Sequence, residues 1–354
     1  MPCLETTTQR IIAADGAIRL QARARLEQLT MPHWALGRIM DLAEELAAMT
    51  GSLHPPVARK TVVTMAGDHG VTAQGVSKYP QAVTVQMVHN FVQGGAGINA
   101  LARLAGARVV VVDMGVAGDL SELAAAGNIV SRRIGPGTKD MATGPAMSRE
   151  EAVSCVEAGI GVALSLADET DVFATGDMGI GNTTPSSAIV SVFSGVAGAE
   201  VSGRGTGIDE EQFQHKIRII EQALRINRPD PADALDVLAK VGGFEIGGIA
   251  GLILGASSLR KPVLIDGFIS TAGALIAAHL SPTARDYMIA SHRSMEQGHR
   301  IALSHLGKKP LLDLDLRLGE GTGAALAMNL VEAAVRILTE VATFEEAAVS
   351  KASS

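Results

Sequence analysis

Apolar residues in this chain keep two different rhythms. Near the start, Leu36, Ile39, Ala43 and Leu46 recur at helical spacing, with Pro32 near the first turn, and predict a helix. After Pro55-Pro56 the pattern changes to short β-branched runs separated by amphipathic stretches. The runs TVVTMAG (61–67), ARVVVVDMG (107–115), DVFATG (171–176), KPVLIDG (261–267) and YMIAS (287–291) predict strands. Between them, Ser148 and Glu151 form a capping box ahead of a stripe of Val153, Val156, Ile160 and Leu164. A second stripe, Phe213, Ile217, Ile220 and Leu224, marks another helix. In GGFEIGGIAGLILGA (242–256) the glycines at 247, 251 and 255 fall on one smooth face, which suits close helix packing and leaves Glu245 undecided. Leu326, Leu330, Ala334, Ile337 and Val341 restore the helical rhythm, and the last residues form a polar tail.

Strands alternating with helices predict an α/β fold with a doubly wound and mostly parallel sheet. The large α/β domain is expected over 58–318. A small helical domain is expected from 1–57 together with 319–354.

Composition narrows the chemistry. Of 354 residues 47% are hydrophobic but only 3% aromatic, with 39 glycines, so the core is aliphatic and its backbones approach closely. A net charge of -7 argues against a nucleic-acid or anionic-membrane surface. The apolar stretches 246–259 and 263–280 are too short or carry Asp266, so neither reads as a membrane span. Cys3 and Cys155 build no disulfide or metal framework, which suits a reducing cytoplasm.

Four apolar runs end in an acidic residue beside glycine, placing Asp68, Asp113, Asp177 and Asp266 at the carboxyl ends of strands. Asp and Gly favour any such turn. Ligands of open α/β sheets also bind along that edge. In GDMGIGNTT (176–184), Thr184 reads as an N-cap and Pro185 as the first helical residue, so free backbone N–H groups meet the positive end of a helix. Such a turn holds anions. Asp177 cannot face a phosphate, but it can accept from a neighbouring sugar hydroxyl or cap its own turn. The pair of features suggests a phosphoribosyl group. Lys216, at the edge of its helical stripe, either snorkels to solvent or reaches a phosphate.

Two loops share Gly-x-Gly-Thr-Gly, GRGTG at 203–207 and GEGTG at 319–323. The second sets Glu320 between glycines after the strand-like LLDLDLRL, as a candidate general base. His69, His292 and His299 form no metal-ligand spacing, so no metal is expected. An alternative is a metal-dependent phosphohydrolase using Asp68, His69 and Asp113. Another is a nucleotide sensor without chemistry.

AGDHGV, YPQAVTVQM, GDMGIGNTT, GRGTG with HK, DGFISTAGAL, SHRSMEQGH and LDLDLRLGEGTGAALAM occur in this order. Together they resemble the nicotinate-nucleotide–dimethylbenzimidazole phosphoribosyltransferase family, from about residue 15 to 341. The resemblance implies transfer of the phosphoribosyl group of nicotinate mononucleotide to 5,6-dimethylbenzimidazole. The products would be α-ribazole 5′-phosphate, the lower-ligand nucleotide of cobalamin, and nicotinate. It implies a Rossmann-like domain with a small helical domain, acting as a homodimer, and no cofactor is expected. Catalysis falls to Glu320 and Asp177. The nucleotide falls to Gly176, Met178, Gly179, Ile180, Gly181, Asn182, Thr183, Gly203, Lys216 and Ser291. The base pocket falls to Tyr79, Pro80, Gln86, Met87 and Leu318. There are departures. Asp177 stands where the family has Glu, and Met31 and Trp34 interrupt the family's N-terminal motif. Because pyrophosphate is not the leaving group, obligatory Mg²⁺ is not expected.

Overall fold

All five sequence-predicted runs are strands in the structure, a computed structural model that describes residues 3–205 and 207–350. Thr206 of the GRGTG loop and the tail from 351 onward lie outside the described residues. The strands are β1 (Lys60–Gly67), β2 (Ala107–Gly115), β3 (Val130–Ser131), β4 (Val172–Met178), β5 (Val263–Ile265) and β6 (Met288–Ala290). They form one sheet in the order β3-β2-β1-β4-β5-β6, and every described pair is parallel. All eight residues of β1 are buried, as expected of a central parallel strand covered on both faces. β3 has two residues, too few to leave a pattern, and the sequence reading missed it.

The chain runs outward from β1 to β3, then returns to β4 beside β1 and continues to β6. The winding therefore reverses between β1 and β4, where open α/β sheets form their ligand crevice. Met65 of β1 is paired with Asp177 of β4, so the 176–184 turn leaves the sheet at that reversal.

Helices cover both faces. On one, Arg149–Ser165 and Phe244–Ser258 pack against each other through the glycines read as a smooth face. A Cβ on Gly251 would meet the carbonyl of Val156, and one on Gly255 would lie 2.6 Å from the Cβ of Ala163. On the other face, Thr322–Glu340 lies over β1, β4 and β5 and beside the Gly97–Ala105 helix. Among the described residues it is the one helix long and apolar enough to cross a membrane, and more than half of it is buried in this protein. Its outer flank packs against Arg38–Thr50, which also holds Gly16–Leu26. An antiparallel bridge from Leu29 to Thr343 ties the chain ends together. Leu4–Gln9 lies elsewhere, on the 149–165 and 244–258 helices.

Several boundaries differ from the sequence reading. The first predicted helix starts at Arg38, so Pro32 precedes it and Leu36 is exposed. In the 149–165 helix the buried face centres on Cys155, Val156, Gly159 and Ile160, and Leu164 points outward. In Thr322–Glu340 the buried stripe is Ala327, Met328, Val331, Ala334 and Leu338, with the predicted face at its edge. The helix after GDMGIG begins at Thr183, which makes Thr184 its second residue and not its cap. LLDLDLRL supplies only Leu312–Asp313, paired in parallel with His292–Arg293. Leu314 and Leu318 are exposed.

Candidate active site

Glu320 has a φ of 62° and sits between Gly319 at 84° and Gly321 at 100°. Three successive left-handed residues are costly for the one that has a Cβ, by about 1–3 kcal/mol, and persist only where neighbours enforce them. Here they do. Asp266, at the end of β5, accepts from Gly321 N at 3.1 Å and Ala324 N at 2.9 Å, capping the 322–340 helix from across the sheet. Thr64 of β1 donates to Glu320 O at 3.0 Å. Gly176 has no Cβ because that space is filled by Glu320's carbonyl. The side chain is held too: Glu320 Oε2 accepts from Ile98 N at 3.0 Å, in the first turn of the Gly97–Ala105 helix. Burial raises the Glu320 pKa, and the Ile98 amide partly offsets this.

Asp177 faces this loop. A Cβ on Gly319 would lie 3.2 Å from both Asp177 carboxylate oxygens. One oxygen, Oδ2, accepts from Asn182 Nδ2 at 3.0 Å. The other, Oδ1, is buried with no hydrogen-bond partner among the described residues. Burial raises the Asp177 pKa well above the usual carboxylate range, and the charges of Asp266, Glu245 and Glu320 add to the rise.

Lys216 does not snorkel. It is 1% exposed, and its Nζ donates to Thr183 Oγ1 at 2.8 Å and Gly203 O at 3.2 Å. Desolvation lowers its pKa to about 8. The buried ammonium thus stands at the start of the Thr183–Ser194 helix, so a point charge and a helix N-terminus coincide. Hydrogen bonds thus link Asp177 to Asn182 and Lys216 to Thr183 and Gly203, with the Glu320 loop packed against Asp177.

Other sequence candidates lie differently. Ser291 is fully buried and its hydroxyl contacts Ile265 O, Asp266 O and His292 Nδ1, so it is turned into the protein. Met178 and Ile180 line the turn, and Ile180 N donates to Thr84 Oγ1 at 3.2 Å, tying the turn to the Val83–Gln93 helix. Gly179 closes over Gly67 and His69, and Gly181 over Thr72. Tyr79, Pro80 and Gln86 are exposed and Met87 is half-buried. Gln86 lines a cavity of about 440 Å³ with Asp68, Gln81, Ala82, Val85, Ala117 and Gly118. Leu318 is exposed beside Glu320: a Cβ on Gly97 would lie 2.9 Å from Leu318 Cδ2 and 3.3 Å from Glu320 Oε2.

Beneath the turn lies a pair the sequence left undecided. His69 Nε2 and Glu245 Oε1 are 2.8 Å apart and wholly buried. Burial lowers the His69 pKa, but Glu245 and then Asp68 outweigh it and raise it overall. Asp68 accepts from Ala117 N at 2.8 Å and Asp113 from Val116 N at 2.9 Å. The three residues of the phosphohydrolase alternative thus each bind a different partner, while Asp68 Oδ1 and His69 Nδ1 have none among the described residues. Among the described residues no three His, Cys, Asp or Glu side chains gather as metal ligands. His292 and His299 are buried and pushed down by desolvation to about 4 and about 3, so both are neutral fittings of the core.

The family profile described as phosphoribosyltransferase matches residues 11–349. The nicotinate-nucleotide–dimethylbenzimidazole phosphoribosyltransferase of Syntrophotalea carbinolica is 65% identical over 351 residues, covering 99% of each chain. The enzyme of that name from Geobacter sulfurreducens is 53% identical over 352 residues, again 99% of each. A crystal structure of the Thermus thermophilus protein so named superposes with a TM-score of 0.90 at 46% identity, covering 96% of this chain and all of that one.

Proposed function

We propose roles for the cleft residues from the premise that this chain belongs to the nicotinate-nucleotide–dimethylbenzimidazole phosphoribosyltransferase family. It is a pentosyltransferase that moves the phosphoribosyl group of nicotinate mononucleotide to 5,6-dimethylbenzimidazole, yielding α-ribazole 5′-phosphate and nicotinate. The bond from the ribose anomeric carbon to the pyridinium nitrogen breaks, and its electron pair stays on that nitrogen. Nicotinate leaves as a neutral ring, so this departure needs no proton. A benzimidazole nitrogen forms the new bond and the azole must then lose a proton.

One positioned base suffices, and Glu320 takes that role. The observation that carries the reading is the forced left-handed backbone at Glu320, clamped by Asp266, Thr64 and Ile98, which fixes one carboxylate opposite the 177–183 turn. Its raised pKa makes it a better base than a solvated glutamate. Lys216, Thr183 and the amides of the turn hold the phosphate. Asp177 accepts from a ribose hydroxyl in the ground state and stabilises positive charge developing on the sugar. Tyr79, Pro80, Met87 and Leu318 form the wall against which the benzimidazole stacks, with Gln86 at its rim. The enzyme works in the cytoplasm as a homodimer. The exposed apolar side chains Met295 and Leu314 on neighbouring loops support such an interface, and sedimentation equilibrium tests it.

The deciding assay follows nicotinate release from nicotinate mononucleotide in the presence of dimethylbenzimidazole. Glu320→Gln is expected to bind the nucleotide normally and turn over at least about 100-fold more slowly. Turnover like that of the wild type removes Glu320 from the base role.

A further inference from the structure

The segment SHRSMEQGH carries a carboxylate for which the transfer has no evident use. Glu296 occupies the N-cap position of the Gln297–Leu306 helix in extended backbone, yet its side chain makes no capping bond. The carboxyl group turns instead onto the 203–205 loop. A Cβ on Gly203 would collide with Glu296 Oε2 and lie 2.8 Å from its Cδ. The same loop carries Lys216 on its other side: Nζ donates to Gly203 O at 3.2 Å, and a Cβ on Gly205 would lie 3.6 Å from Nζ and 3.0 Å from Thr183 Oγ1. Glu296 therefore sits at the seat assigned above to the substrate's phosphate.

Its environment is that of an occupant, not a latch. Asp266, a true latch, has both oxygens bonded to backbone amides. Glu296 Oε2 is shut away from solvent with no hydrogen-bond partner among the described residues. Burial raises the Glu296 pKa, while the charge of Lys216, one hydrogen bond donated by the Gly205 amide and the charge of Arg317 partly offset this. Glycine backbone that admits close approach, a threonine hydroxyl and a buried ammonium make a better match for phosphate, which can satisfy several donors at once.

We propose that Glu296 stands in for the substrate's phosphate while the site is empty and swings out when the nucleotide enters, so that this side chain sets nucleotide affinity. The proposal rests on Lys216 and the 176–184 turn being the phosphate seat. Apparent affinity then falls by the fraction of time the seat is open. Removing the Glu296 charge frees the seat and tightens binding.

The test is calorimetric titration of the full chain, without base, using nicotinate mononucleotide and, separately, inorganic phosphate. Glu296→Gln and Glu296→Ala are expected to bind both at least about 5-fold more tightly than the wild type. Unchanged or weaker binding by a variant whose thermal unfolding shows it to be folded overturns the proposal. If the alanine variant fails to fold, the isosteric glutamine variant decides. Lys216→Ala tests the premise apart: nucleotide binding like that of the wild type defeats the phosphate seat itself. Loss of binding there, with no tightening at position 296, defeats the Glu296 proposal alone.

Discussion

Two carboxylates at the same sheet edge, Asp266 after β5 and Asp177 on β4, have opposite surroundings. Both are buried, and burial pushes both pKa values upward, Asp266 to about 7. Asp266 gives both oxygens to backbone amides of the Glu320 loop. Asp177 has one oxygen on Asn182 and one on no described partner, and it faces three other acids. A satisfied buried carboxylate builds structure. In the proposed site, a ligand supplies the donor that the unsatisfied one lacks. On the proposed roles, the contrast separates scaffold from chemistry in a place where the sequence shows only Asp beside Gly twice.

Substitution can break this comparison. Asp266→Ala strands the Gly321 and Ala324 amides, removes the cap of the 322–340 helix and lets the Glu320 loop relax. A stability loss of about 2–4 kcal/mol is expected in denaturant unfolding, accompanied by loss of turnover. Unchanged stability would mean that the loop does not depend on this clamp. Asp177→Asn should do the reverse. The folded carboxyl binds its proton more tightly than the unfolded one, so its ionisation costs stability at neutral pH and the amide removes that cost. The variant is expected to melt no lower than the wild type while kcat falls about 10-fold, through lost stabilisation of sugar charge. A variant that loses stability and keeps its kcat would recast Asp177 as scaffold.

The pH dependence of nucleotide capture sharpens the other half of the site. Lys216 is charged below its pKa of about 8, so in its proposed role phosphate binding is strongest below that pH and weakens as pH rises through it. In wild type, kcat/KM for nicotinate mononucleotide is expected to fall several-fold between about pH 7 and about pH 9.5. Lys216→Arg, which stays protonated throughout, should flatten that limb even if its absolute activity is lower. An alkaline limb of the same size in the arginine variant would assign it to another group.

The sheet was legible because buried parallel strands leave unbroken β-branched runs, and β1, β2 and β4 were found almost to the residue. The glycine face of 244–258 was legible for a similar reason, since four-residue spacing is a local property. Glu320 and Asp177 could be singled out because glycine and turn residues bracket them. Their supports could not. Asp266 reaches the Glu320 loop from 55 residues away, Ile98 from 222 and Thr64 from 256. The His69–Glu245 pair spans 176. No periodicity records such pairings, and they come into being only when the crossovers bring strand ends together. Ser291 shows the converse. Its motif pointed to the nucleotide, but folding turned the hydroxyl toward Ile265 and Asp266.

A crystal structure of the Glu320→Gln variant soaked with nicotinate mononucleotide and dimethylbenzimidazole tests the shared cleft most directly. The expected density places the phosphate within hydrogen-bond reach of Lys216 Nζ and Thr183. It places the anomeric carbon between Asp177 and position 320, with the azole against Leu318. A nucleotide bound anywhere other than between the 176–184 and 319–323 loops would contradict it.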